Sequence, residues 1–159
     1  MTSNKLRILI TTALFTALCC IATMIIQIPS PTGGYIHPGD AFVILSGVLL
    51  GPFYGFIAAG IGSMLADIFS GYMGFAIATF LIKGIAALLC GFIYEGIRKQ
   101  ISVLLGGIAC CLVVTFGYFV FEAWLLGNGF AATVAGVPAN LVQGLFGIIL
   151  SSLLYPILK

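Results

Sequence analysis

Six apolar segments, joined by short turns rich in glycine, proline and serine, leave this chain one environment in which it can fold, a lipid bilayer. They run over residues 6–28, 40–50, 53–69, 73–97, 101–126 and 130–158, with no strand pattern and no soluble domain between them. A chain of 159 residues that is 62% hydrophobic and 6% charged, with a mean hydropathy of +1.26, has too much surface to hide its apolar side chains from water. It reads as an all-α polytopic membrane protein, one domain over residues 1–159. The net charge of +2 is small and scattered, which excludes a nucleic-acid surface.

The first segment follows Lys5 and Arg7 as a signal peptide would, but it has the length of a span (~20 residues) and further spans follow. It is read as an uncleaved helix, ended by Pro29, Ser30, Pro31 and the pair Gly33-Gly34. Segment 40–50 is too short to cross at ~1.5 Å per residue, so it begins in the preceding loop, lies in a thinned region or enters part way. A re-entrant hairpin of the second and third segments fits the charges equally well; six transmembrane helices is the preferred reading. Lys5, Arg7, Arg98, Lys99 and Lys159 then share one side, which the positive-inside rule makes the cytoplasm, with both termini there.

Lys83 is the exception. It lies about ten residues into the fourth segment, ~15 Å deep, and needs a partner or a water-filled cavity. Asp67 and Glu122, near the outer ends of the third and fifth segments, are the candidate partners. The expected pair is Lys83 with Asp67, fixing helices 3 and 4, and such a pair beside a cavity can also touch a ligand. The sixth segment adds Asn140 and Gln143 after Pro138, which is expected to free a carbonyl and loosen the helix. Asn140, at ~14 Å, is placed near the level of Lys83.

Asp40, Asp67, Glu122, Asn140 and Gln143 thus fall in the outer half or at the midplane, where a small outward-opening pocket would gather them. Tyr35 and His37 of the first loop, Tyr72 and Phe75 around the third, and Tyr118, Phe121 and Trp124 late in the fifth segment are available as walls. The interfacial aromatic belt accounts for most of these rings, Trp124 best, while Tyr118 is deeper. His37 also reads as a solvated loop residue, and Asp40 as an N-cap to the second helix.

Gly47, Gly51 and Gly55 recur every fourth residue and Gly60 and Gly62 follow, which lets helices approach closely in lipid. Cys19, Cys20, Cys90, Cys110 and Cys111 lack metal-ligand spacing and read as small buried hydrophobes. No GxxxxGK[ST], HExxH or nucleophile elbow is present, so neither ATP hydrolysis nor metal-assisted chemistry is expected of this chain, and uphill transport would draw its energy elsewhere.

The run Gly39-Asp40-Ala41-Phe42-Val43-Ile44-Leu45, then Leu49-Leu50-Gly51-Pro52, Gly55, Gly60-Ile61-Gly62-Ser63, Ala66-Asp67, Ser70-Gly71 and Lys83-Gly84, resembles the substrate-binding S component of energy-coupling factor (ECF) vitamin transporters. It is most similar to the riboflavin-transporter-like branch that includes pyridoxine and hydroxymethylpyrimidine carriers. The resemblance implies a six-helix protein of the bacterial plasma membrane that captures a vitamin or precursor from outside, with loops 1, 3 and 5 closing over it. It further implies a transmembrane T component and two cytoplasmic ATPases that use the ATP, with toppling of the S component in the bilayer. The small-xxx-small contact for the T component is represented by Ala13 and Ala17, which helix periodicity puts on one face; packing within the same chain is the other explanation. The residues expected to contact the substrate, from their depth and chemistry, are Tyr35, His37, Asp40, Asp67, Tyr72, Lys83, Tyr118, Glu122, Asn140 and Gln143. The best expectation for the substrate is vitamin B6 or hydroxymethylpyrimidine, with riboflavin next. A membrane assembly subunit that binds nothing is the alternative from another class. An intramembrane enzyme would need a catalytic pair, and the one histidine lies in the first loop.

Overall fold

The computed structural model describes residues 3–30 and 32–159; Pro31, expected to help end the first helix, lies outside them. Helix α1 (Ser3–Met24) leads into a loop in which β1 (Ile28–Pro29) pairs antiparallel with β2 (Tyr35–Ile36), Ile28 opposite Ile36. This small ladder is absent from the sequence reading. Then follow α2 (Asp40–Leu50), α3 (Pro52–Phe69), α4 (Ala76–Ile97), α5 (Gln100–Val120) with a π turn at Phe121–Leu125, α6 (Phe130–Val134) and α7 (Val137–Leu158). Five stretches are long and apolar enough to cross a membrane, and α2 is a short sixth.

The brevity of α2 is explained by its place. The spanning helices neighbour one another in the order α1, α3, α4, α5, α7, and α2 packs against all five. Eight of its 11 residues are buried, so its apolar character faces protein on every side. It starts deep in the bundle, at Asp40 against Lys83, and ends at Gly51, beside the Glu95 carboxylate near the far end of α4. Residues 32–39 therefore descend into one end of the bundle, here the loop end, and α2 covers only the remaining depth. Of the expected alternatives, a segment that crosses only part of the way is the one observed, since the helix starts at Asp40 and not in the preceding loop.

Gly51, at φ +84, makes the turn a side chain would strain, and Pro52 opens α3 at a position where no N–H is needed. A Cβ on Gly47 would run into the carbonyl oxygen of Ala87, so α2 and α4 touch backbone to backbone there. On α1 only one stripe is buried (Thr12, Phe15, Cys19, Ala22 and Thr23), and Ala13 and Ala17 are exposed beside it. Packing within this chain therefore does not explain those two alanines. Four of the five cysteines are buried; Cys20 is half-buried.

Lys83 is fully buried and pairs with Asp40, not with Asp67. The reason is depth. Asp67 sits in the last turn of α3, at the loop end, whereas Asp40 opens α2 at the level of Lys83. The other Asp40 oxygen accepts from Gln143 Nε2 at 2.8 Å, and Gln143 Oε1 accepts from the His37 N–H at 3.1 Å. One chain of bonds thus joins α4, α2, α7 and the loop. Asp40 is not the expected N-cap: Gly39 holds that position and makes no side-chain bond, while the Asp40 carboxylate is spent inside. Pro138 is also corrected. It lies at the very start of α7, after the break at Ala135 and Gly136, and opens the helix instead of loosening it.

Gly47→Ile should lower the midpoint of thermal unfolding in detergent, as overpacking that costs about 1–3 kcal/mol does, whereas Gly96→Ala, in open space, should not. Lys83→Met should destabilise by about 3–5 kcal/mol because it strands the Asp40 charge, and adding Asp40→Asn should restore most of the loss. Equal midpoints for the single and double variants would contradict this account of the pair.

Candidate functional site

At the loop end, the loop, the end of α3, the start of α4, the π turn and the start of α7 surround a narrow, partly open cavity of about 30 Å³. Eight of the ten expected residues line it: Tyr35, His37, Asp67, Tyr72, Tyr118, Glu122, Asn140 and Gln143. Asp40 and Lys83 do not. They lie beneath the floor that Gln143 and His37 form, and Lys83 Nζ sits 5.4 Å from the centroid of the Tyr118 ring.

The walls are aromatic. Tyr35 packs on Tyr72 with ring centroids 4.6 Å apart and on His37 at 5.4 Å, and Phe75 meets Tyr72, Tyr118 and Phe121. Tyr35 reaches the cavity from β2, whose pairing with β1 holds the loop folded inward. Its hydroxyl donates to Asp67 Oδ1 at 2.7 Å, and burial together with the Asp67 charge raises its pKa, so it remains a donor. His37 is not a solvated loop residue. Its Nδ1 accepts from the Gly39 N–H at 3.1 Å, which places its proton on Nε2. Burial, reinforced by the Lys83 charge, pushes its pKa down to about 3, so the ring is neutral.

Two carboxylates face this space. Asp67 is 5% exposed, and its Oδ2 has no hydrogen-bond partner. Glu122 is 4% exposed, with the Thr32 hydroxyl beside it. The π turn puts Glu122 inward while Trp124, two residues on, is 77% exposed, as an interfacial belt residue would be. The ion pair of Lys83 and Asp40 is the one formed among the described residues, so neither Asp67 nor Glu122 has a cationic partner.

Asn140 occupies the first turn of α7 and is half-buried on the cavity wall. It stands higher than expected; Gln143, one turn further, is the residue that reaches Asp40. Sequence reasoning missed Thr79, which lines the cavity and shares a hydrogen bond of 2.9 Å with the Tyr118 hydroxyl. The signal was available, because Phe75, Thr79 and Lys83 recur every fourth residue and fall on one helix face. Ser30 and Gly34 complete the rim, brought there by the β1–β2 turn.

Flat rings, two acids, two amides and hydroxyls around a small space offer stacking faces and hydrogen-bonding groups of the kind a planar polar molecule can use.

The family model of the ECF-type riboflavin transporter S component matches residues 3–159. An uncharacterized protein of Pyrococcus woesei is 37% identical over 140 residues, covering 87% of this chain and 93% of its own. The thiamine precursor transporter HmpT of Lactococcus lactis subsp. cremoris (strain MG1363) is 25% identical over 162 residues, covering all of this chain and 92% of its own. Among solved structures, the S component of a bacterial ECF transporter aligns with a TM-score of 0.77 at 25% identity, over 97% of this chain and 96% of that one. The S component for biotin from an ECF-type ABC transporter shares the fold, with a TM-score of 0.63 at 21% identity over 98% and 95% of the two chains. The chain belongs to the family of ECF-type riboflavin transporter S components, multi-pass proteins of the cell membrane that serve vitamin uptake and are not enzymes.

Proposed function

We propose that this protein is the high-affinity substrate-binding subunit of an ECF importer for a thiamine or vitamin B6 precursor, with hydroxymethylpyrimidine first and pyridoxine second. The observation that carries this reading is the cavity at the loop end, where residues from the loop and four helices converge on one small polar space. The likeness to the thiamine precursor transporter, spanning all of this chain, supports the pyrimidine. Riboflavin is the second reading, favoured by the family model itself.

In this mechanism the ring of the vitamin stacks among Tyr35, Tyr72 and Tyr118 while Asp67, Glu122, Asn140, Gln143 and the Nε2 donor of His37 select its polar edge. Lys83 and Asp40 hold the floor without touching ligand. Tyr35 now occupies part of the space, bonded to Asp67, and swings with the loop as substrate enters. The loop end faces outward and both termini lie in the cytoplasm, in keeping with Arg98, Lys99 and Lys159 at the opposite end. The whole chain acts as one domain. A T component docks on the exposed face of α1 at Ala13 and Ala17, and two ATPases supply the energy.

Native mass spectrometry of the protein released from detergent, against a panel of water-soluble vitamins and precursors, should show one retained mass. No retained mass from folded protein would overturn the receptor reading in favour of an assembly subunit. Asn140→Ala should weaken binding about tenfold or more with the unfolding midpoint little changed. Ala17→Trp should leave binding intact and abolish co-purification with the T component, because it fills a surface where helices must approach closely.

A further inference from the structure

We infer that the ligand meets this pocket as a cation or hydrogen-bond donor, through an amino-substituted nitrogen heterocycle whose exocyclic amine donates to the free oxygen of Asp67. This rests on the cavity being the vitamin site, and it specifies what chemistry that site accepts. A pairing of Lys83 with Asp67 would have given the pocket a balanced charge; the observed pairing with Asp40 removes the one nearby cation. What remains facing the space is Asp67 and Glu122, both about 95% buried and neither neutralised by a protein cation. His37 adds no charge, since its Nδ1 is engaged as an acceptor.

Asp67 carries the geometric part. Its Oδ1 accepts from the Tyr35 hydroxyl, but Oδ2, buried on the cavity wall, has no partner within hydrogen-bond geometry; the nearby Thr79 hydroxyl makes its close contact with the Tyr118 hydroxyl instead. A buried acceptor left unsatisfied is costly, so a ligand that supplies a donor there gains more than a new bond alone would give. An amine conjugated to a ring nitrogen suits it best. It offers two N–H donors, and protonation of the ring leaves a cation for the second acid, Glu122. By the same reasoning a phosphate ester is rejected, because two unpaired carboxylates repel it and no cation receives it.

The test is isothermal titration of the detergent-solubilised protein with three probes: 4-amino-5-hydroxymethyl-2-methylpyrimidine, its 4-hydroxy counterpart, and the phosphate ester of the first. The 4-hydroxy compound is expected to bind at least about tenfold more weakly and the phosphate ester about a hundredfold more weakly. Asp67→Asn should erase the preference for the amine, and the wild-type comparison stands by itself if that variant does not fold. Equal affinity for the amino and hydroxy compounds overturns the inference, as does tight binding of the phosphate ester. Binding of riboflavin or pyridoxine with none of the three probes overturns it too, yet leaves the vitamin-receptor reading intact. Absence of binding by every vitamin overturns both.

Discussion

A lysine inside a hydrocarbon layer must exchange its hydration for protein contacts, and Lys83 does so against the Asp40 carboxylate, with the Tyr118 ring beside it. That requirement shapes much else. It fixes the depth at which α2 can start, because Asp40 has to stand level with the eighth residue of α4. A helix that starts so deep cannot span, and the chain from Met24 must descend through the loop end to reach it. The second Asp40 oxygen then recruits Gln143 of α7, and Gln143 recruits the backbone of His37. Burying this pair is costly in itself, but both Asp40 oxygens have partners and the Lys83 charge is paired, and the same bonds assemble the floor of the cavity.

Much of this was legible in the sequence, for identifiable reasons. Apolar length located the spans, because bilayer thickness leaves little freedom in where a helix can begin and end. The cavity residues were legible because polar side chains inside a membrane protein are rare enough that most share one purpose. Tyr35, Asp67, Tyr118 and Glu122, far apart along the chain, meet in one space. What failed was the choice of partner for Lys83. Depth read from the ends of hydrophobic runs brings Asp67 and Lys83 together in adjacent helices, but it does not register that residues 32–39 dip into the bundle and carry Asp40 to the level of Lys83. Thr79 escaped because a hydroxyl among apolar residues gives no hydropathy signal. The break before α7 escaped because Ala135 and Gly136 do not interrupt an apolar run.

The π turn at the end of α5 shows how local backbone geometry divides labour between neighbours. A regular helix separates residues two apart by about 200° around its axis, which already tends to oppose Glu122 and Trp124. Across the widened turn Glu122 lies buried at the cavity while Trp124 stands exposed on the outside of the bundle, as a residue of an interfacial belt would. The acid thereby faces the loop that bears Thr32 and the cavity, while the indole is left free on the outer surface of that end of the bundle.

Separating the structural charges from those that face the cavity has a consequence for the chemistry the cavity can present. Were Lys83 paired with Asp67 on the cavity wall, any change in the polar edge of the ligand would have to be met by altering a residue on which folding depends. With the pair sequestered beneath Gln143 and His37, the groups that face the cavity sit at the ends of α3, α5 and α7 and on the loop, where substitution leaves the central contacts of α2 untouched. Asp67 illustrates the freedom: it contributes one oxygen to Tyr35 and keeps the other uncommitted. A bundle held by one internal ion pair can therefore change the chemistry of its outer cavity while keeping its helices in place.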